Sequence, residues 1–189
     1  MAMLKIWNVC LVLYFFDHSF SMQCEWTKFK LGKLNEESIQ LLRNMGGSFP
    51  PGCFQENVEP MFPEDAYKLS GETRNDGIAS VAYEALKDTA RIFKDLTFTT
   101  WDHEKLRLFK NILSRQVENL EQCVQGEMAF SGDGNSDAGG NRALKLYFEK
   151  LNTLLKEKGQ SACAWEIVRK ELGYCLEQLR KFIQSNKQN

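Results

Sequence analysis

The chain has little of what most enzymes and metal proteins need. It holds two histidines, His18 and His103, among 189 residues, which leaves little material for a serine–histidine triad or a histidine metal cluster. It contains no C-x-x-C pair, P-loop or G-x-S-x-G motif, and no N-x-S/T sequence for N-glycosylation. These absences argue against an enzyme and against a resident cofactor.

One segment partly resembles a calcium-binding loop but lacks two of its required residues. The segment 133–137, with the sequence DGNSD, imitates the opening of a calcium-binding loop. Such a loop needs a glycine for its sharp turn and a glutamate as bidentate ligand. Ala138 and Leu144 stand at those two positions, so no metal site is expected.

Net charge is also nearly absent. The sequence has 24 basic and 25 acidic side chains, a balance of −1 at pH 7. With both signs interspersed, there is no long-range reason to expect nucleic acid or a membrane surface as partner. After the first residues no stretch reaches 18 consecutive apolar positions, so no membrane insertion is expected.

The start of the chain has the layout of a secretory signal peptide. Lys5 provides a positive charge, residues 6–16 are almost entirely apolar, and Ser19 and Ser21 are the small residues of a cleavage site. The apolar run is too short to span a bilayer. We predict a signal peptide over residues 1–21, one domain over residues 22–189, and secretion.

The predicted mature region keeps five of the six cysteines: Cys24, Cys53, Cys123, Cys163 and Cys175. In a secreted chain these are expected to form disulfides rather than to bind metal. Five thiols cannot all pair, and spacing alone does not choose among the pairings.

Apolar residues recur at helical spacing in five segments. These are residues 24–45, 77–96, 101 to about 124, 141–157, and 161 onward. All four prolines fall between Pro50 and Pro63, where they are expected to break regular hydrogen bonding. Five amphipathic helices with a long early crossover indicate an all-α bundle, a class that includes the up-up-down-down cytokines.

The last helix contains Cys163-Ala164-Trp165-Glu166-Ile167-Val168-Arg169-Lys170-Glu171, which resembles the C-A-W-x-x-V-R-x-E signature of type I interferons. Residues 78–84 and 144–148 are also similar to that family. The resemblance implies a five-helix up-up-down-down cytokine bundle with a long first crossover loop and two disulfides, Cys24–Cys123 and Cys53–Cys163. Cys175 departs from that pattern, and we expect a buried free thiol rather than an intermolecular bridge.

The resemblance also implies a function without chemistry. A protein of this kind is expected to act as a monomer that binds and dimerises two chains of a class II cytokine receptor and triggers antiviral and innate immune signalling. The first helix, the Cys53 loop and the last helix would engage one receptor chain, and the second to fourth helices the other. The implied receptor-binding residues are Phe54, Asn57, Arg169, Lys170 and Tyr174.

In the last helix, Arg169 matches the signature arginine, which contacts the receptor in the family. Because Trp165 and Val168 point inward by periodicity, we expect Trp165 in the core, and Arg169 and Lys170 projecting outward. Tyr174 is expected on the same flank.

In the loop, Phe54 directly follows the bridged cysteine, where the family usually has a leucine contact. An arginine often found a little further on is here near Asn57, which is not basic. That departure bears on receptor specificity rather than on the class of protein.

Other functions stay open on the sequence. Another class II helical cytokine, such as a type III interferon or an interleukin-10 relative, would share the bundle but use different bridges. A receptor antagonist would bind one chain and fail to recruit the second. A secreted helical lipid carrier would need a ligand-sized apolar cavity, and an enzyme a polar catalytic cluster.

Overall fold

The computed structural model describes residues 29–63, 66–67, 76–94, 96, 99–131 and 142–187, which form helices and loops without a strand. Helix α1 covers residues 29–46 of this part, and the later helices are α2 (Asp76–Lys94), α3 (His103–Ser131), α4 (Arg142–Glu157) and α5 (Ala162–Lys187). A short 3-10 helix, Pro51–Glu56, lies between α1 and α2. The predicted signal peptide, Cys24 and the segment 133–137 lie outside the described residues. None of the helices described is long and apolar enough to cross a membrane.

Helix α1 runs antiparallel to α3. Gln116 Nε2 in α3 donates a hydrogen bond to Ser38 Oγ at 3.1 Å. About two turns later in α1, Met45 O accepts from the backbone N–H of Asp102, just before α3, at 2.9 Å. Later residues of α1 therefore meet earlier residues of α3.

Helix α1 is antiparallel to α5 in the same way. Asn35 Nδ2 donates to Leu176 O at 2.9 Å, and Leu42 O accepts from Arg169 Nη1 at 3.2 Å. The two ends of this contact again run in opposite order along the chain. Since α1 opposes both α3 and α5, the latter two point the same way.

Helix α2 pairs with α3 and completes the arrangement. Tyr83 OH donates to Glu121 Oε1 at 2.8 Å, and the rings of Phe93 and Phe109 lie 4.9 Å apart. These contacts make α2 antiparallel to α3 and therefore parallel to α1. Helices α1 and α2 point one way and α3 and α5 the other, so the predicted all-α, up-up-down-down cytokine bundle is confirmed.

The core is continuous, and α5 lies at its centre. Trp165 is 4% exposed, which confirms its predicted place in the core. Its ring meets Trp101 at right angles, 6.3 Å between centroids, and lies 6.2 Å from Phe93. This aromatic cluster joins α2, α5 and Trp101, which lies two residues before α3. The other buried apolar residues of α5 are Ala164, Ile167, Val168, Leu172, Cys175, Leu176, Leu179 and Ile183.

Two predictions about local structure are wrong, one for the proline-rich segment and one for the end of α3. The proline-rich segment does contain regular hydrogen bonding, because Pro51 opens a 3-10 helix in which Cys53 N donates to Pro50 O at 3.0 Å. Proline suits that first position, where its missing N–H has no helical partner to lose. Helix α3 passes Gly126 and continues to Ser131. One glycine disfavours a helix by only about 1 kcal/mol, so it does not have to end one.

Candidate functional site

A disulfide fastens the crossover that follows α1 to the start of α5. Cys53 and Cys163 are bonded, with their Cα atoms 5.3 Å apart and 110 positions between them in sequence. This is the pairing that the resemblance implies. Cys123 is also disulfide-bonded, and its predicted partner, Cys24, lies outside the described residues. Cys175 is free and buried, as predicted.

Four of the predicted receptor-binding residues lie together on one exposed surface beside this bridge. Lys170 Nζ in α5 donates to Asn57 Oδ1 at 3.1 Å and lies 5.8 Å from the centre of the Phe49 ring. That ring is 5.6 Å from the ring of Phe54. Tyr174 follows Lys170 by one turn of α5. We call Phe49, Phe54, Asn57, Lys170 and Tyr174 the crossover face.

The crossover face combines aromatic area with a positive charge. Phe54 is 61% exposed and Tyr174 is 46% exposed, an unusual position for side chains of this size. Exposed aromatic side chains beside a polar rim are typical of protein–protein contact surfaces. Phe49 was not predicted to belong to this surface. The only signal for it in the sequence is that it is an aromatic residue directly before the prolines.

Arg169 is not part of the crossover face, and the prediction that it projects outward is wrong. It is 6% exposed. Arg169 follows Trp165 by four residues and precedes Leu172 by three, a spacing that places all three on one side of a helix. The prediction used Trp165 and Val168 as the inward positions and placed Arg169 outward from them, without using its spacing from Trp165 and Leu172.

The Arg169 guanidinium caps the C-terminal end of α1. Nη1 donates to Leu42 O and to Arg43 O, both at 3.2 Å, and Nη2 donates to Gly47 O at 2.9 Å. The carbonyl groups at the end of a helix have few partners within it. Arg43 O also accepts from the Gly47 N–H at 3.2 Å, and the side chain of Arg169 supplies further donors to this turn and to Gly47 O. The positive charge also suits the negative end of the α1 dipole.

Glu166, which is 5% exposed, neutralises Arg169. Its Oε2 accepts from Arg169 Nη2 at 2.6 Å and from Nε at 3.0 Å. Its Oε1 accepts from Trp101 Nε1 at 2.5 Å. A buried ion pair is tolerated only when its remaining hydrogen-bonding groups are also satisfied, as they are here. The pair thereby connects α1, α5 and Trp101.

A second buried carboxylate holds the later part of the crossover. Glu171 is 3% exposed, and its Oε2 accepts from the backbone N–H of Met61 at 3.0 Å. Burial raises the pKa of the Glu171 carboxyl, against the opposing effect of the Met61 and Phe62 backbone donors. The Phe62 ring packs 5.1 Å from Tyr147 and 5.9 Å from Tyr174. The loop therefore also supports Tyr174 of the crossover face.

Cys175 is held as an unreactive thiol. Its sulfur lies 3.0 Å from Tyr67 OH, and its carbonyl oxygen accepts from the same hydroxyl at 3.3 Å. Burial raises the pKa of Cys175 to about 12. Since the thiolate is the reactive form, this residue is not suited to redox chemistry at neutral pH.

These buried groups form a support beneath the exposed surface. We call Trp101, Glu166, Arg169, Glu171 and the Cys53–Cys163 bridge the anchor layer. The anchor layer fixes the end of α1, the 3-10 helix and the later loop against α5. This arrangement holds the crossover face in a fixed position. It is suited to binding rather than to catalysis.

Other kinds of site find little support. Within the described residues, no group of three or more histidine, cysteine, aspartate or glutamate side chains could hold a metal ion. A cavity of about 820 Å³ lies at the end of the bundle beside the bridge. Its lining mixes Trp101 and Trp165 with Thr100, Lys156 and Glu166.

Comparison with known proteins gives a consistent result. Residues 27–186 match the family model of the interferon alpha/beta domain. The chain is 30% identical over 181 residues to interferon a3 of Oncorhynchus mykiss, covering 95% of each chain. It is 28% identical over 190 residues to interferon kappa of Homo sapiens, covering 94% of this chain and 91% of that one.

Solved structures agree. Zebrafish interferon 2 superposes with a TM-score of 0.69 and 33% identity, over 79% of this chain and 97% of that one. Zebrafish interferon 1 superposes with a TM-score of 0.70 and 26% identity, over 86% and 99%.

Proposed function

The chain belongs to the interferon alpha/beta family, and we propose that it is a secreted cytokine that binds two class II cytokine receptor chains and brings them together. Proteins of this family are cytokines rather than enzymes, they bind cell-surface class II cytokine receptors, and the homologues are secreted. The proposed outcome is antiviral and innate immune signalling. The family match favours this over the type III interferon and interleukin-10 alternatives.

One observation carries the proposal. Four residues that the family resemblance singled out, Phe54, Asn57, Lys170 and Tyr174, come from two separate parts of the chain and meet on one exposed surface. Two of them, Phe54 and Tyr174, are aromatic and exposed to solvent, although burial of such side chains is favourable. We propose that this crossover face docks on one receptor chain.

The anchor layer supports the same proposal. Binding is weakened by the free energy needed to order a flexible surface. The Cys53–Cys163 bridge, the Arg169 cap and the Glu171 contact order the crossover before a partner arrives. A surface prepared in this way loses less free energy when it binds.

The second receptor chain would dock on α2, α3 and α4. Leu108 on α3 is an exposed apolar side chain there, at 38%. Two different surfaces on one rigid body suffice to join two receptor chains. We therefore propose that a monomer is the active form.

The proposal is tested by adding the purified protein to cells that carry both candidate class II receptor chains, either chain alone, or neither. Induction of antiviral genes is expected only when both chains are present, and protein with its disulfides reduced serves as the control. A protein that binds one chain and blocks induction by another interferon would be an antagonist. Induction without one of the two chains would contradict the proposal.

A further inference from the structure

Arg169 contacts the end of α1, from which the chain leads to Phe49 of the crossover face. Its three contacts with α1 end at Gly47 O, two residues before Phe49. Phe49 in turn touches Phe54 and Lys170, both on the crossover face. The position of the face therefore depends on how the last turn of α1 is held.

We propose that Arg169 is a positioning residue for receptor binding: it fixes the end of α1 and residues 47–49 and does not touch the receptor. This inference rests on the proposed function. It differs from the contact role that the resemblance implies for the signature arginine. With 6% of its surface exposed, Arg169 has little left to offer a partner.

The contacts need the shape of an arginine as well as its charge. Nη1 and Nη2 donate to three carbonyl groups, while Nε and Nη2 hold the Glu166 carboxylate. A planar guanidinium presents five N–H donors in a fixed fork. A lysine has three donors on one nitrogen, so it can neutralise Glu166 but cannot reach all four acceptors.

Gly46 provides a second way to disturb the same contacts. A Cβ atom on Gly46 would lie 2.6 Å from Arg169 Nε, 2.8 Å from its Cζ and 3.0 Å from Trp101 Nε1. Gly46 is helical, so the backbone itself accepts alanine. Gly46→Ala therefore pushes the guanidinium from its seat while the arginine and its charge remain.

The positioning role and a contact role predict different results for Gly46→Ala relative to Arg169→Lys. If Arg169 only positions α1, the displaced guanidinium no longer holds residues 47–49, and receptor binding weakens in both variants. If Arg169 contacts the receptor, Arg169→Lys, which removes the guanidinium, weakens binding more than Gly46→Ala, which retains it.

The experiment measures the affinity of purified Arg169→Lys and Gly46→Ala variants for each receptor ectodomain separately. Both variants are expected to bind the chain that docks on the crossover face about tenfold more weakly, as when the competent arrangement is populated in about one molecule in ten. Affinity for the other receptor chain is expected to change by less than about twofold. Gly52→Ala is the matched control, because no atom lies within 4 Å of a Cβ added there.

Hydrogen exchange in the unbound protein gives an independent readout. Amides of residues 46–49 and of Asp102, whose N–H donates to Met45 O, are expected to exchange faster in both variants than in Gly52→Ala. These rates test whether the Arg169 contacts hold the end of α1 in the absence of a receptor. Unchanged rates would overturn the inference.

The binding results separate this inference from the function beneath it. Full affinity of Gly46→Ala, or equal weakening toward both receptor chains, would overturn the positioning role. If Phe54→Ala weakens binding while Arg169→Lys and Gly46→Ala do not, the inference fails and the proposed function stands. If Phe54→Ala has no effect either, the crossover face itself is the wrong surface.

Discussion

Lys170 and Arg169 are neighbours in the sequence and carry the same charge, yet they belong to different regions of the molecule. Lys170 is exposed and makes one hydrogen bond, to Asn57. Arg169 is buried and paired with Glu166 at 2.6 Å. Substitution of an exposed side chain usually changes stability by less than about 0.5 kcal/mol, whereas breaking a buried ion pair costs about 3–5 kcal/mol. One step along α5 therefore separates a residue suited to recognition from a residue that supports the fold.

The same division holds for the crossover face and the anchor layer as wholes. Changes in the exposed side chains are expected to alter binding and leave the free energy of unfolding almost unchanged. Changes in the buried groups are expected to alter both, because the Cys53–Cys163 bridge, the Arg169 contacts and the Glu171 contact attach the crossover to α5. The following predictions test this division, beginning with the largest effect on stability.

Removing the bridge is expected to have the largest effect. In the chain-entropy model, a disulfide that closes a loop of about 110 residues stabilises the fold by roughly 4–5 kcal/mol. The double variant Cys53→Ala, Cys163→Ala should lose up to this amount in urea unfolding, without leaving an unpaired thiol at either position. It should also bind the crossover-face receptor chain more weakly. A variant as stable and active as the parent would contradict the role of the bridge.

Glu171→Gln is expected to change how stability depends on pH. Burial raises the folded-state pKa of Glu171, so above the unfolded-state pKa the folded form holds its proton while the unfolded form has lost it. The contribution of Glu171 is therefore present in full at low pH and is lost as pH rises from about 4 through the raised value. Glutamine keeps an acceptor for the Met61 N–H but does not titrate.

Urea unfolding of the parent and of Glu171→Gln between pH 4 and pH 7 measures this effect. The parent's free energy of unfolding, relative to that of the variant, should fall as pH rises. Glu157→Gln, an exposed change at the end of α4, is the matched loss of one carboxylate. A difference between parent and Glu171→Gln that stays constant over this range would contradict the assignment.

Much of the fold was predictable from the sequence, because it depends on local pattern. The apolar stripes predicted the five helices, and Trp165 was placed correctly from its spacing alone. The 3-10 helix was not predicted, since a single short helix of this type leaves no periodic signal in the sequence. The signature segment led to Lys170 and Tyr174, which are indeed exposed.

The burial of Arg169 could not be derived with the same certainty. Its spacing favoured the inner side, but a buried arginine is acceptable only if enough acceptors surround it. Those acceptors are Glu166 and three carbonyl groups at the end of α1, more than 120 residues away in sequence. Phe49 was missed for a similar reason, because its importance comes partly from its contact with Lys170, which is distant in sequence.

The most direct measurement of the central claim is the affinity of Phe54→Ala for each receptor chain, made together with its thermal and urea unfolding. Because Phe54 is exposed, the free energy of unfolding of the Phe54→Ala variant should stay within about 0.5 kcal/mol of the parent value. Affinity for one receptor chain should fall about tenfold or more, as expected for an aromatic anchor, while Leu108→Ala on α3 should leave that affinity unchanged. If Phe54→Ala binds both receptor chains as tightly as the parent, the crossover face is not a docking surface.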